Sequence, residues 1–106
     1  LSRLQNTRFE LAEVKTDLEL NRALMEKCID KYIDGSLSTE EASMVKLASS
    51  EMQGKVVDRC LQLFGGYGYM KEYPIARAYV DARVQRIYGG TSEVMKELIA
   101  RSLVGR

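Results

Sequence analysis

No histidine occurs anywhere in this sequence, which excludes a Ser-His-Asp or Cys-His nucleophile within it. Its two cysteines, Cys28 and Cys60, are too few for a disulfide framework, and no Cys/His cluster has metal-ligand spacing. Both lie in apolar helical contexts, where a buried free thiol is expected, and that fits a reducing, soluble compartment. No apolar run approaches the roughly 20 residues needed to span a bilayer, and no signal peptide is visible. A formal net charge of +1 gives no general attraction to nucleic acid or to an anionic membrane. Pro74 is the single proline, and every glycine except Gly54 falls at a break or at the end of the chain. That distribution suits helices.

What is present fits one domain: 106 residues, 45% of them hydrophobic and 29% charged, enough for a single modest core. From about Leu4 to Ile33, Leu11, Val14, Leu18, Met25, Ile29 and Tyr32 recur at helical spacing, with Ala23, Leu24 and Cys28 widening the stripe. Asp34-Gly35-Ser36 ends that helix. Ser38 followed by Glu41 is a capping-box pattern opening a second helix, with Ala42, Val45, Ala48, Met52, Val56, Cys60 and Leu63 on one face and Gly65 placed as a left-handed terminator. Gly54 inside it costs about 1 kcal/mol relative to alanine and predicts close packing against another helix. Pro74 suits the first position of a short third helix carrying Ile75, Ala78, Tyr79, Ala82 and Val84 and fading near Arg86. Thr91 can cap a fourth, with Glu93 in its first turn and Val94, Met95, Leu98, Ile99 and Leu103 apolar. With no period-two alternation, the expected class is all-α, an antiparallel four-helix up-and-down bundle with two long and two short helices. Helical sequence almost from residue 1, without a starting methionine, reads as a piece of a larger protein.

Two junctions carry chemistry. In QLFGGYGYMKEYP, Gln62 to Pro74, three glycines within four positions let a backbone approach closely and expose amides suited to phosphate. The run follows a helix, so it is no Rossmann fingerprint, and it lacks the Gly-Lys-Ser/Thr ending of a P-loop. On spacing alone a tight interhelix turn with Tyr67, Tyr69 and Tyr73 packed on the bundle is the favoured explanation. In RIYGGTSEVMKELIAR, Arg86 to Arg101, a double glycine before a capped helix offers free amides and the positive end of a helix dipole. An ordinary loop and N-cap would look the same.

Together, in this order and separation, the two junctions resemble the closing motifs of the acyl-CoA dehydrogenase family. The resemblance covers nearly the whole chain: LQNTRFELAEV near the start, QLFGGYGY, then EYPIARAYVDARVQRIYGGTSEVMKELIAR. EYPIARAYVDARVQ with IYGGT is most similar to the long-chain branch. The resemblance implies that residues 1–106 are the C-terminal helical domain of a flavoprotein whose N-terminal helical and middle β domains are not in this sequence. It implies α,β-dehydrogenation of acyl-CoA thioesters with FAD, reoxidation by an electron-transferring flavoprotein, and a homo-oligomer, dimer or tetramer. The compartment would be the cytoplasm in a bacterium or the mitochondrial matrix in a eukaryote.

Position by position, the resemblance implies that Gln62, Leu63, Phe64, Gly65 and Gly66 reach the FAD of a neighbouring subunit. Gln5 and the triplet Thr91, Ser92 and Glu93 match further cofactor contacts, although many relatives have glutamine where Glu93 stands. Tyr88 and Gly90 match positions beside the thioester. Gly89 occupies the position of the catalytic glutamate in many relatives and has no proton-accepting side chain. As in the long-chain and isovaleryl branches, the base is then expected upstream of Leu1, and the chain alone is expected to be inactive. Rival readings are a related acyl-CoA oxidase, nitroalkane oxidase or flavin monooxygenase, or a non-catalytic helical interaction module. Arg77, Arg83, Arg86 and Lys96 are expected on solvated faces or in interhelix ion pairs ahead of a CoA phosphate site, and Met25, Met44, Met52 and Met95 in the core ahead of an acyl tunnel.

Overall fold

The computed structural model describes residues 5–105, and among them four α-helices: α1 (Gln5–Ile33), α2 (Thr39–Phe64), α3 (Pro74–Arg83) and α4 (Ser92–Val104). Short 3-10 turns cover Gly65–Tyr69 and Val84–Arg86, and no strand occurs among the described residues. Leu4, where the spacing starts the first helix, lies outside them. The start signals act as read. Ser38 Oγ accepts from the Glu41 amide at 3.1 Å while Glu41 Oε1 accepts from the Ser38 amide at 3.2 Å, a complete capping box. Pro74 opens α3, and Thr91 Oγ1 caps α4 by accepting from the Val94 amide at 3.1 Å.

The other three helices all pack on α2. Its pairing with α1 is antiparallel, as three cross-links show. Cys28 Sγ lies 3.8 Å from the Glu41 carbonyl, Ser49 Oγ donates to Asn21 Oδ1 at 3.2 Å, and Arg59 meets Glu10 at 3.3 Å together with Glu13 and Asp17. Glu13 first, then Glu10 and Asp17, hold the Arg59 guanidinium above its ordinary pKa. At the opposite end Lys31 Nζ sits 2.5 Å from Glu41 Oε2, so the carboxylate that closes the capping box also pins α1 to α2.

The deepest contacts differ from the apolar stripes. On α1 the buried positions are Thr7, Val14 and Cys28, a seven-residue seam, while Leu11, Leu18, Met25, Ile29 and Tyr32 are exposed. On α2 they are Ser43 and Ser50; Val45, Ala48, Met52, Val56, Cys60 and Leu63 are half-buried and Ala42 is exposed. Ala76 and Ala82 bury α3, not Tyr79 or Val84, and Met95 is the buried methionine, Met25 and Met44 lying at the surface. Both thiols are free, Cys28 buried and Cys60 half-buried. The physical reason is that three helices wrapped on one hub meet it through narrow seams. Small side chains let the axes come close, and the wider apolar faces turn outward. The Cα radius of gyration, 16.4 Å, exceeds the roughly 13 Å of a compact chain of this length.

Two outcomes follow from the cap. Ser38→Ala should lower unfolding stability by about 1 kcal/mol in urea titration. Bonds from Lys31, and secondarily from Ser38, pull the Glu41 pKa from 4.5 to about 2. A depressed carboxylate stabilises the fold above its unfolded value and stops doing so below its folded one. Glu41's contribution is therefore intact above pH 4.5 and is lost as pH falls toward 2. Glu41→Gln should reduce stability at pH 7 and narrow its gap from wild type across that window; a gap that stays constant would contradict this.

Candidate functional site

The first glycine junction forms where α2 stops. Gly65 takes φ 62° and ψ −136°, and its amide bonds the Gln62 carbonyl. The positive φ agrees with the sequence reading, but ψ lies far from a left-handed helical terminator, in a region open essentially to glycine. The following 3-10 turn folds inward at Gly68, where a Cβ would stand 2.5 Å from the Leu61 carbonyl oxygen and 3.2 Å from Phe64 Cβ. At Gly65 and Gly66 the opposite holds: nothing lies within 4 Å of a Cβ position. One glycine packs the turn and two leave it open. Tyr73 ties the turn down through Tyr67, centroids 5.4 Å apart, and Phe64, 6.2 Å apart, whereas Tyr69 is 88% exposed and not packed as the sequence allowed. Gln62 and Phe64 are exposed and Leu63 is half-buried. Gln5 is exposed at the start of α1, and the antiparallel register brings it to this same end of the hairpin.

The second junction docks against the middle of α2. Gly89 (φ 63°) and Gly90 (φ 104°) reverse the chain, and a Cβ on Gly90 would stand 2.6 Å from Met95 Cε. Thr91 Oγ1 takes the Val94 amide and the Thr91 carbonyl takes the Met95 amide at 3.0 Å. Among the described residues no backbone carbonyl accepts from the Ser92 or Glu93 amides, the free first-turn donors at the positive end of α4. The Ser92 side chain is not available with them: it is buried and its hydroxyl donates to Glu51 Oε1 at 2.7 Å. Glu93 and Gly89 are exposed, Gly90 is half-buried, and Tyr88 is half exposed, at 53%. Between Lys46 or Glu51, where this loop docks, and Gln62 lie roughly 16 to 24 Å of helix at 1.5 Å per residue. The candidate residues thus form two groups, not one pocket.

Of the three residues that hold the second loop, Lys46, Glu51 and Arg86, only Arg86 carried a reading in the sequence, as a surface charge or ion pair ahead of a phosphate contact. Arg86 is an ion pair: Nη1 lies 3.5 Å from Glu51 Oε2. Its guanidinium also lies over Gly54, where a Cβ would come within 3.5 Å of Cζ, so the close partner of Gly54 is this side chain and not a helix. Arg86 Nε is buried there without a hydrogen-bond partner among the described residues. Lys46 Nζ donates to the Gln85 and Gly90 carbonyls at 3.2 and 2.5 Å, and Ser50 folds back on the Lys46 carbonyl at 2.8 Å. The Ser92 hydroxyl foremost, with Arg86 adding to it, holds the Glu51 carboxyl below its ordinary pKa against the effect of partial burial. A signal was present: Ser43, Lys46, Ser50 and Gly54 recur at three- and four-residue spacing. Of the remaining cations, Arg77 donates to the Lys71 carbonyl at 2.9 Å, and Arg83 and Lys96 are exposed.

The sequence matches the acyl-CoA dehydrogenase C-terminal domain over residues 1–104, and the chain belongs to that family. It is 51% identical over 104 residues to the mitochondrial long-chain specific acyl-CoA dehydrogenase of Rattus norvegicus, covering 98% of this chain and 24% of that protein. The crystal structure of the Geobacillus kaustophilus acyl-CoA dehydrogenase superposes with a TM-score of 0.94 at 44% identity, over 97% of this chain and 27% of that one. The FAD complex of PigA superposes with a TM-score of 0.91 at 28% identity, over 99% and 27% respectively. The chain therefore spans about a quarter of the length of these relatives. Among the described residues no helix is long and apolar enough to cross a membrane.

The glycines of the first turn should separate by substitution. Gly68→Ala forces a Cβ onto a backbone oxygen and should cost about 1–3 kcal/mol in chemical unfolding. Gly66→Ala meets open space and should stay within about 0.5 kcal/mol of wild type. The reverse order would show that the turn is packed differently.

Proposed function

We propose that this chain is the cofactor- and thioester-facing helical domain of an FAD-dependent acyl-CoA dehydrogenase of the long-chain type. The observation that carries the reading is the open Gly65-Gly66 junction at the end of α2 together with the glycine turn docked on the same helix, combined with family membership. The residues present fit the cofactor. Gly65 and Gly66 leave clear space at the end of α2, which suits close approach of the ADP portion, with Gln62, Leu63 and Phe64 beside it and Gln5 at the same end of the hairpin. At the other junction the unpaired Ser92 and Glu93 amides, together with the Thr91 hydroxyl, which accepts from Val94 but keeps its own proton to donate, suit polarised oxygens of the flavin moiety. Groups so far apart along α2 agree with contacts to cofactors bound in two different subunits, and hence with a homo-oligomer.

Bound FAD supplies the acceptor for the hydride that leaves the β-carbon of the acyl chain. The domain's own task is placement. Tyr88 and Gly90 stand at the exposed turn where the thioester would lie. The α-proton must go elsewhere, because Gly89 has no side chain and the Glu51 carboxylate is engaged by Ser92 and Arg86, which lower its pKa and make it a weaker base. A carboxylate from another segment of the whole protein fills that role. An electron-transferring flavoprotein would reoxidise the cofactor.

The test uses the full-length protein. Its flavin absorbance should bleach on addition of palmitoyl-CoA without oxygen. Gly66→Val should raise the Kd for FAD about tenfold, equivalent to about 1.4 kcal/mol, without changing the unfolding midpoint of this domain. A full-length protein that retains no flavin, or one that Gly66→Val leaves equally loaded, would overturn the reading in favour of a helical interaction module.

A further inference from the structure

The segment from Gln85 to Ser92 is fastened to α2 at both ends and free between them. At its entry Lys46 Nζ takes the Gln85 carbonyl and Glu51 takes Arg86. At its exit the same Lys46 Nζ takes the Gly90 carbonyl and the same Glu51 takes Ser92 Oγ. Two side chains five residues apart on one helix thus each bridge both ends of a loop some forty residues further along the chain. Between the fastened ends Ile87 and Tyr88 are half exposed, at 52% and 53%, and Gly89 is exposed. Within the tip the Ile87 and Tyr88 amides bond the Val84 carbonyl at 2.9 and 3.1 Å, and the bridges at its base are what join it to α2.

Chemistry explains the choice of residues. An ammonium has three donors and no acceptor, so one lysine can bind two carbonyls that face each other across a loop. A carboxylate with two oxygens can accept from a guanidinium and a hydroxyl at once. The positive φ at Gly89 and Gly90 lets the chain double back, so that the Gly90 carbonyl meets Lys46 and not solvent. Glycine alone would leave this loop many conformations, and the two bridges select one.

We propose that Lys46 is a positioning residue for the dehydrogenation: by binding the carbonyls of Gln85 and Gly90 it fixes where Tyr88, Gly89 and Gly90 stand against the acyl thioester. The proposal rests on the functional reading above and adds a residue that touches neither substrate nor cofactor. Displacement of a reacting group by about 1 Å can cost a hundredfold in rate, so a loop held only by its glycines should be a poor template.

The experiment compares Lys46→Met, Lys46→Arg and Arg59→Met in the full-length holoenzyme. Arg59→Met removes the ion pairs between α1 and α2 and controls for general loosening of the domain. Amide hydrogen exchange of the peptide covering residues 86–92 and steady-state palmitoyl-CoA kinetics are read in parallel, each normalised to bound flavin. Lys46→Met should speed exchange at residues 87–90 and lower kcat/KM about tenfold, with flavin content unchanged. Lys46→Arg, which keeps two donors, should restore both, and Arg59→Met should leave both near wild type. Unchanged exchange in Lys46→Met would overturn the bridge itself. Faster exchange with unchanged kcat/KM would overturn the positioning role while leaving the bridge. Wild-type protein without acyl-CoA turnover would overturn the functional reading, and the positioning claim with it, while exchange still reports on the bridge.

Discussion

The carboxylate of Glu51 joins three elements that are remote in sequence. From the middle of α2 it receives Ser92 at the start of α4 and Arg86 at the end of the turn after α3. Beside it, Lys46 of α2 holds the Gln85 and Gly90 carbonyls, and the short helices bury little more than Ala76, Ala82 and Met95. Hydrogen bonds to a charged partner are stronger than neutral ones, and this one sits where a poorly placed loop matters most. Glycine supplies the bends at the candidate site; α2 supplies the constraint that makes them reproducible.

The same architecture explains why the domain looks so open. A helix that serves as a hub for three neighbours meets each along a seam, and Ser43, Ser50 and Gly54 keep those seams close. Among the described residues no large side chain is fully enclosed. Large apolar groups such as Ile33, at 77%, and Leu103, at 74%, face outward. Surfaces of this extent are ordinary for a helical domain that packs against further chain or further copies, and they agree with the chain spanning about a quarter of its relatives.

Helix positions were legible in the sequence because each boundary has a local cause: Ser38 with Glu41, Pro74, and Thr91 are cap or first-turn residues whose effect does not depend on tertiary partners. Depth was not. Periodicity identifies the apolar face of α1, but what covers Ile29 and Tyr32 is not another part of residues 5–105, so the face read as core is exposed. The glycine junctions were legible as open backbone, and Gly65 and Gly66 are indeed unobstructed. That Gly68 packs inward was not, since spacing alone cannot say which of three glycines meets Leu61. The Lys46 and Glu51 bridges span about forty residues of sequence, and no local pattern names a partner at that distance. Only the small-residue stripe around them hinted that something was packed there.

A double-mutant cycle between Glu51 and Ser92, read by urea unfolding at pH 7, tests the central constraint most directly. Glu51→Gln, Ser92→Ala and the double variant should give a coupling free energy of about 1 kcal/mol or more, as expected for a partly buried hydrogen bond to a charge. Additive effects, with coupling near zero, would mean that α4 and its loop are held by something other than α2's carboxylate.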